Sequence, residues 1–348
     1  MLENVLASIR PVDADAAAAA RARHDTLTKP PGSLGKLEAL GVRLAAVQRS
    51  LKPHIRGAAI AVFAGDHGVT DAGVSAYPRA VTEQMVLNFL GGGAAINALS
   101  RVAGAELWVV DVGVDANLPE HPTLIQAKVR RGSRNFLHEP ALTDLELSEA
   151  LDVGIRVANH LIDNGANLLV GGDMGIGNST PAAAITAALT GHSPALVTGR
   201  GTGVDDAGLR RKVEVIERAL AKHQPDPNNP LSVLAALGGL EIAALTGFYL
   251  GAASKQVAVI LDGFIVTSAA LVAAALNPEV TGYLFASHTS QEPGHLIQLN
   301  ALGLTPLFDF QMRLGEGSGA ALSIPLFKSA AAVLSEMATF GEAGVAEA

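Results

Sequence analysis

The run Ile60-Ala61-Val62-Phe63-Ala64-Gly65-Asp66-His67-Gly68 is apolar without a break, then stops on glycine, a carboxylate and an imidazole. Four more stretches share this design: Leu107-Trp108-Val109-Val110-Asp111-Val112-Gly113, Leu168-Leu169-Val170-Gly171-Gly172-Asp173, Val257-Ala258-Val259-Ile260-Leu261-Asp262-Gly263 and Tyr283-Leu284-Phe285-Ala286-Ser287-His288. Continuous apolar runs of this length fit strands buried on both faces. Helical patterns separate them. Thr143-x-x-Glu146 is a capping box, and Leu147, Leu151, Ile155, Ala158 and Ile162 then share one face. Asp205-Asp206 opens another helix, with Leu209, Val213, Ile216 and Leu220 expected inward. Strands alternating with helices imply an α/β fold with a parallel sheet covered on both sides. Ligands in such folds sit at the carboxyl ends of the strands, where this chain puts its Gly, Asp and His.

Working outward, the N-terminal part reads as two helices, one Ala-rich over 14–24 and one over 33–51. The turn Pro30-Pro31-Gly32 lies between them. Near the other end, Arg313-Leu314-Gly315-Glu316-Gly317-Ser318-Gly319-Ala320 sets one carboxylate among glycines ahead of a long apolar segment, 321–340. If that segment is helical, its first N–H groups are free beside Glu316. Glycine there lets the chain turn sharply and lets a ligand approach. Two readings stay open: a first-turn acid complementing the helix dipole, or a carboxylate facing a ligand. The helices at both ends are placed to form a small layer over the sheet edge.

Composition narrows the functional classes. The chain has 348 residues, 49% apolar and only 4% aromatic, so its core is aliphatic. No cysteine is present, which removes disulfides, thiolate metal sites and thiol catalysis. A net charge of −8 without basic runs argues against nucleic acid. The N-terminus lacks a signal-peptide order, and the apolar run Phe264–Leu276 is too short to span a bilayer. The expectation is a soluble cytoplasmic protein with no membrane partner.

Two glycine-rich loops carry the chemistry. Gly171-Gly172-Asp173-Met174-Gly175-Ile176-Gly177-Asn178-Ser179-Thr180-Pro181 joins a strand to a helix, with Pro181 in the first turn and Ser179 or Thr180 as cap. Exposed amides at such a helix start form an anion site, with phosphate as the expected guest. The dinucleotide fingerprint is absent, because Gly175-x-Gly177 would require glycine where Thr180 stands. Thr198-Gly199-Arg200-Gly201-Thr202-Gly203-Val204-Asp205-Asp206 repeats the arrangement, with Lys212 two turns into the following helix, within reach of an anion. Asp66, His67, Asp173, Asp262 and His288 also offer metal donors, although no His-x-x-x-His pairing occurs. A metal-dependent hydrolase is therefore the alternative to a metal-free, cofactor-free enzyme.

Asp66-His67-Gly68-Val69, Gly175-x-Gly177-Asn178-x-Thr180-Pro181, Leu261-Asp262-Gly263-Phe264 and the 313–320 octapeptide resemble motifs of the nicotinate-nucleotide:dimethylbenzimidazole phosphoribosyltransferase family. Thr28-Lys29-Pro30-Pro31-Gly32-Ser33-Leu34-Gly35 resembles its N-terminal motif, and the likeness runs in order from about residue 20 to 340. The resemblance implies a doubly wound, mainly parallel, Rossmann-like sheet over 56–312. It also implies a small helical domain built from 1–55 and 313–348, and a homodimer. The implied reaction is transfer of 5-phosphoribosyl from nicotinate mononucleotide to 5,6-dimethylbenzimidazole, in cobalamin biosynthesis. By motif, the resemblance makes Glu316 the catalytic base. It places Gly175, Ile176, Gly201, Gly203, Lys212 and Ser290 on phosphate and ribose, and Asp173 on a ribose hydroxyl. It places Tyr77, Pro78, Met85 and Leu314 around the acceptor base. Many family members carry Glu where this chain has Asp173, so the ribose contact is made by a shorter arm.

Overall fold

A computed structural model describes residues 1–346. Six parallel strands form one sheet: β1 (Ala58–Gly65), β2 (Glu106–Gly113), β3 (Leu124–Gln126), β4 (Leu168–Met174), β5 (Ala258–Leu261) and β6 (Leu284–Ala286). Their order is β3-β2-β1-β4-β5-β6. The chain moves outward one way from β1 to β3, then returns to lay β4 against the other side of β1. Residue Ala61 pairs with Trp108 on one flank and Gly171 on the other. This is the doubly wound topology, and its switch point lies between β1 and β4. Every residue of β1 and β4 is buried, which is why neither sequence alternates.

The helices cover the sheet through unusually close contacts. Leu240–Ser254 is apolar all round and buried along nearly its whole length; it lies across β1, β2, β4 and β5. Asp144–Asp163 packs on it, and the capping box at Thr143 forms as expected. Glycine makes this crossing possible. A methyl on Gly154 would overlap the Ala244 carbonyl, and one on Gly247 the Leu151 carbonyl. The two backbones touch where side chains would hold them apart.

Both chain ends meet on one side. Ser318–Glu336 packs against the Lys36–Gln48 and Ala95–Ala103 helices and against β4 and β5. Arg23 Nε donates to the Leu334 carbonyl at 2.9 Å, and Leu27 bridges to Thr339. Ala20, Val42, Ala45 and Leu334 form a small apolar cluster there. By length and composition alone, Ser318–Glu336 would pass for a membrane span. It is instead half-buried against the core, through residues such as Ile324 and Phe327.

Several local expectations are corrected. The second N-terminal helix is Lys36–Gln48, because residues 31–35 continue the proline turn and Gly35 takes a left-handed φ of 53°. In Asp206–His223 the buried stripe is Gly208, Lys212, Val215, Ile216 and Ala219. Leu209, Val213 and Leu220 are only half-buried, since the helix rolls to turn Lys212 inward. The helix after β4 is Ser179–Thr190 with Asn178 as its cap. Ser179 and Thr180 lie inside its first turn. The edge strand β3 and the Val81–Leu90 and Ala95–Ala103 helices are further elements that the sequence reading above does not include.

Candidate active site

The octapeptide 313–320 crosses the carboxyl end of the sheet beside β4 and β5. Gly315, Glu316 and Gly317 hold φ values of 91°, 63° and 87°, three consecutive residues in the left-handed region. For glutamate this conformation costs energy, on the order of 1 kcal/mol or more. Something must hold it, and Asp262, just beyond β5, does so. Its Oδ1 accepts from the N–H of Gly319 at 2.7 Å and of Ala320 at 3.1 Å, and its Oδ2 from Gly317 N–H at 3.2 Å. The N–H groups expected to be free beside Glu316 are therefore taken by a buried carboxylate. A close approach to β4 completes the clamp: a methyl on Gly172 would come within 2.6 Å of the Glu316 carbonyl oxygen.

Glu316 itself is 6% exposed. Its Oε2 accepts from Ile96 N–H at 3.3 Å, in the first turn of Ala95–Ala103. Among the described residues no protein donor reaches Oε1. Burial raises its pKa above the usual glutamate value; the Ile96 hydrogen bond opposes this and the nearby Asp262 charge adds to it. A carboxylate in this state is a better proton acceptor than one in water.

Beside the octapeptide opens a cleft of about 660 Å³, solvent space included. Asp173, Gly201, Ser290 and Leu314 line it, together with Ser179, His288 and Glu292. Asp173 is pushed up to about 8, first by burial and then by the Asp262 charge, while an Asn178 amide bond at 2.9 Å opposes the shift. At neutral pH its carboxyl is mostly protonated. Lys212 lies under the cleft floor, buried, with Nζ donating to Ser179 Oγ at 2.8 Å and to the Gly199 carbonyl at 2.9 Å. Burial pulls it down to about 8, against the Glu292 charge. Ser290 is fixed by its neighbour: its N–H donates to His295 Nδ1 at 2.9 Å, so that nitrogen carries no proton. Burial and His288 together hold His295 down to about 3.

The remaining candidates sit around this centre. Gly175 packs on β1, where a methyl would overlap the Gly65 carbonyl, and Ile176 N–H donates to Thr82 Oγ1 at 3.1 Å. Gly203 is exposed in the second glycine loop. Met85 is half-buried on Val81–Leu90, while Tyr77 and Pro78 lie exposed in the loop before it. None of these lines the cleft. The proposed metal donors do not converge: among the described residues no three His or carboxylate side chains are gathered in a way that could hold a metal ion. Each is engaged locally. His67 Nε2 meets Glu241 Oε1 at 2.7 Å, Asp66 Oδ2 accepts from Asp115 N–H, and His288 Nδ1 meets Ser287 Oγ. Asp262 as the clamp of the octapeptide, and Glu292 in the cleft, are features of the site that the sequence reading does not include. The Leu261-Asp262-Gly263 strand end was the available signal for the first, and nothing marked the second.

A cleft at the carboxyl ends of β4, β5 and β6 in a doubly wound sheet, with glycine loops and one clamped carboxylate beside it, defines a nucleotide-handling α/β enzyme. A family model described as phosphoribosyltransferase matches residues 9–345. The nicotinate-nucleotide–dimethylbenzimidazole phosphoribosyltransferase of Roseiflexus sp. (strain RS-1) is 55% identical over 345 residues, covering 99% of this chain and 98% of that protein. The protein of the same name from Geobacter sulfurreducens is 52% identical, covering 100% and 99%. A crystal structure of the Thermus thermophilus enzyme superposes with a TM-score of 0.92 at 50% identity, covering 97% of this chain and 100% of that one. The chain belongs to the nicotinate-nucleotide:dimethylbenzimidazole phosphoribosyltransferase family. The metal-dependent hydrolase alternative is thereby corrected.

Proposed function

We propose that this protein transfers the 5-phosphoribosyl group from nicotinate mononucleotide to 5,6-dimethylbenzimidazole, releasing nicotinate and forming α-ribazole 5′-phosphate for cobalamin biosynthesis. Family membership supports the reaction. The observation that carries the mechanism is Glu316, a buried carboxylate with raised pKa on a strained, clamped loop at the sheet's carboxyl edge.

The bond to be broken joins C1′ to a pyridinium nitrogen, so its electron pair neutralises the leaving group and no acid is required. As C1′ flattens, positive charge spreads onto the ribose ring oxygen. The acceptor's lone-pair nitrogen then attacks, and its other ring nitrogen must shed a proton. Glu316 Oε1 takes that proton, and the same hydrogen bond orients the ring before attack. Attack opposite the leaving group inverts C1′, turning a β-nucleotide into an α-nucleotide. Asp173, protonated, holds a ribose hydroxyl. Gly201 and Ser290 in the cleft, with Lys212 beneath its floor, hold phosphate and ribose; the resemblance adds Gly175, Ile176 and Gly203, which stand outside the cleft. Leu314 borders the acceptor base; the resemblance adds Tyr77, Pro78 and Met85, which stand outside the cleft. We also take residues 1–55 and 313–348 as one small domain, and the enzyme as a soluble, cytoplasmic homodimer; the family resemblance supports these assignments.

Incubating the protein with nicotinate mononucleotide and the benzimidazole tests the proposal. Nicotinate release that depends on the base, with an α-anomeric product by NMR, is expected. Release without the base, or a β-product, would overturn it. Lys212→Ala is expected to raise KM for the mononucleotide about tenfold or more, since a charged hydrogen bond to phosphate is lost.

A further inference from the structure

Glu292 stands outside the family motifs quoted above, yet its carboxylate occupies the second glycine loop. Its Oε1 accepts from Gly201 N–H at 2.8 Å. Its Oε2 is enclosed and has no hydrogen-bond partner. A methyl on Gly199 would overlap that oxygen, so the glycine leaves the space the carboxylate fills. Lys212 Nζ lies just across the loop, 3.1 Å from where a methyl on Gly201 would stand, and has no carboxylate within ion-pair distance among the described residues. The chain before Glu292 is held in turn by Ser290, whose Oγ accepts from Glu292 N–H at 3.3 Å. An anion therefore already sits on the backbone donor assigned above to the nucleotide phosphate.

We infer that the Glu292 carboxylate is an internal anion that keeps the phosphate cradle formed in the empty enzyme, and that the 5′-phosphate enters by displacing it from Gly201. This rests on the phosphate reading of the cradle. Two anions cannot share one N–H donor beside one buried lysine without strong repulsion. Entry therefore favours a ligand that gains more than the carboxylate loses. A phosphate monoester meets that condition, with two negative charges and three acceptor oxygens against one charge and a single satisfied oxygen. Inorganic phosphate also meets it, but without the ribose and base contacts that follow. Glu292 thus determines specificity: it sets a threshold that weak anions do not cross, and it prevents a hydrated, collapsed loop when substrate is absent.

Equilibrium binding of inorganic phosphate and of nicotinate mononucleotide to the full-length enzyme tests this, with Glu292→Gln, Glu292→Ala and Lys212→Ala compared with the unmodified protein. Thermal melting confirms that each variant is folded. Removing the competing charge is expected to tighten inorganic phosphate binding about tenfold in Glu292→Gln. Lys212→Ala should weaken it by a similar factor. If Lys212→Ala weakens binding while both Glu292 variants bind phosphate as the unmodified protein does, or more weakly, Glu292 is no competitor and the inference fails alone. If phosphate affinity is unchanged in all the variants, the cradle does not take phosphate and both readings fail together.

Discussion

At the scale of single residues, the site is governed by where carboxylates are kept and in which protonation state. Three of them crowd the carboxyl edge, and their fates differ. Asp262 spends its acceptors on three backbone N–H groups. Asp173 is held protonated at neutral pH by burial and by its neighbours. Glu316 spends Oε2 on Ile96 N–H and leaves Oε1 without a protein donor among the described residues, as the base proposed above requires. We expect Glu316→Gln to keep the fold and lose turnover by about 10²–10⁴-fold, the usual worth of a positioned base; kcat and thermal melting on one preparation check this. Because its pKa is raised, the acid limb of kcat/KM should lie above the ordinary glutamate range, and a limb at or below it would remove Glu316 from the role. The side chain was legible in the sequence as a carboxylate among glycines. Its partners were not, because Ile96 lies 220 residues away along the chain and Asp262 clamps its loop from 55 to 58 residues away.

At the scale of elements, the 313–320 loop depends on one strand end clamping one helix start. Asp262→Ala removes acceptors from three buried N–H groups. We expect a loss of about 1–3 kcal/mol in stability, together with a fall in kcat larger than in Asp262→Asn, which keeps one acceptor oxygen. Denaturant titration and steady-state kinetics separate the two effects. The close crossing of Asp144–Asp163 on Leu240–Ser254 has a similar all-or-none character. Gly154→Val would drive side-chain atoms into the Ala244 carbonyl. A helix of this length cannot shift away without opening the core, so we expect the variant to be insoluble or unfolded, judged by expression and circular dichroism. The helices themselves were readable from capping signals and apolar spacing. Their roll was not: Lys212 faces inward because Ser179 and the Gly199 carbonyl receive its ammonium, and no pattern of apolar residues encodes that.

For the whole molecule, burying titratable groups at the sheet edge should leave a mark on stability. Asp173 has its pKa raised to about 8 in the folded state, against about 3.9 unfolded. Between those values the folded protein binds more protons, so stability is highest below the lower value and declines as pH rises toward 8. His295 works in the opposite sense. Its folded value is about 3, so the unfolded chain binds more protons below about 6.5, and stability is lost as pH falls through that window. The two contributions oppose each other between about pH 4 and 6.5, which leaves about pH 6.5–8 as the range in which Asp173 stands out. We expect the melting temperature to fall across that range, and to fall less in Asp173→Asn. An identical pH dependence in the two proteins would show that Asp173 is ionised in the folded state.

The amino-acid sequence by itself determined the sheet and its chemistry-bearing edge. Unbroken apolar runs such as 60–64 have no polar face to offer water, so they must be covered on both sides, and the residues that end them must share one rim. It also set Glu316 in a loop that only glycine neighbours permit. Tertiary structure alone decided what those rim residues do. A hydrogen bond or a desolvated charge depends on distance between chain segments far apart in sequence, and local spacing carries no record of it. Packing therefore turned Asp262 from an expected metal donor into the clamp of a strained loop. Packing also buried Lys212 beneath the cleft and laid Glu292 across the glycines of its floor.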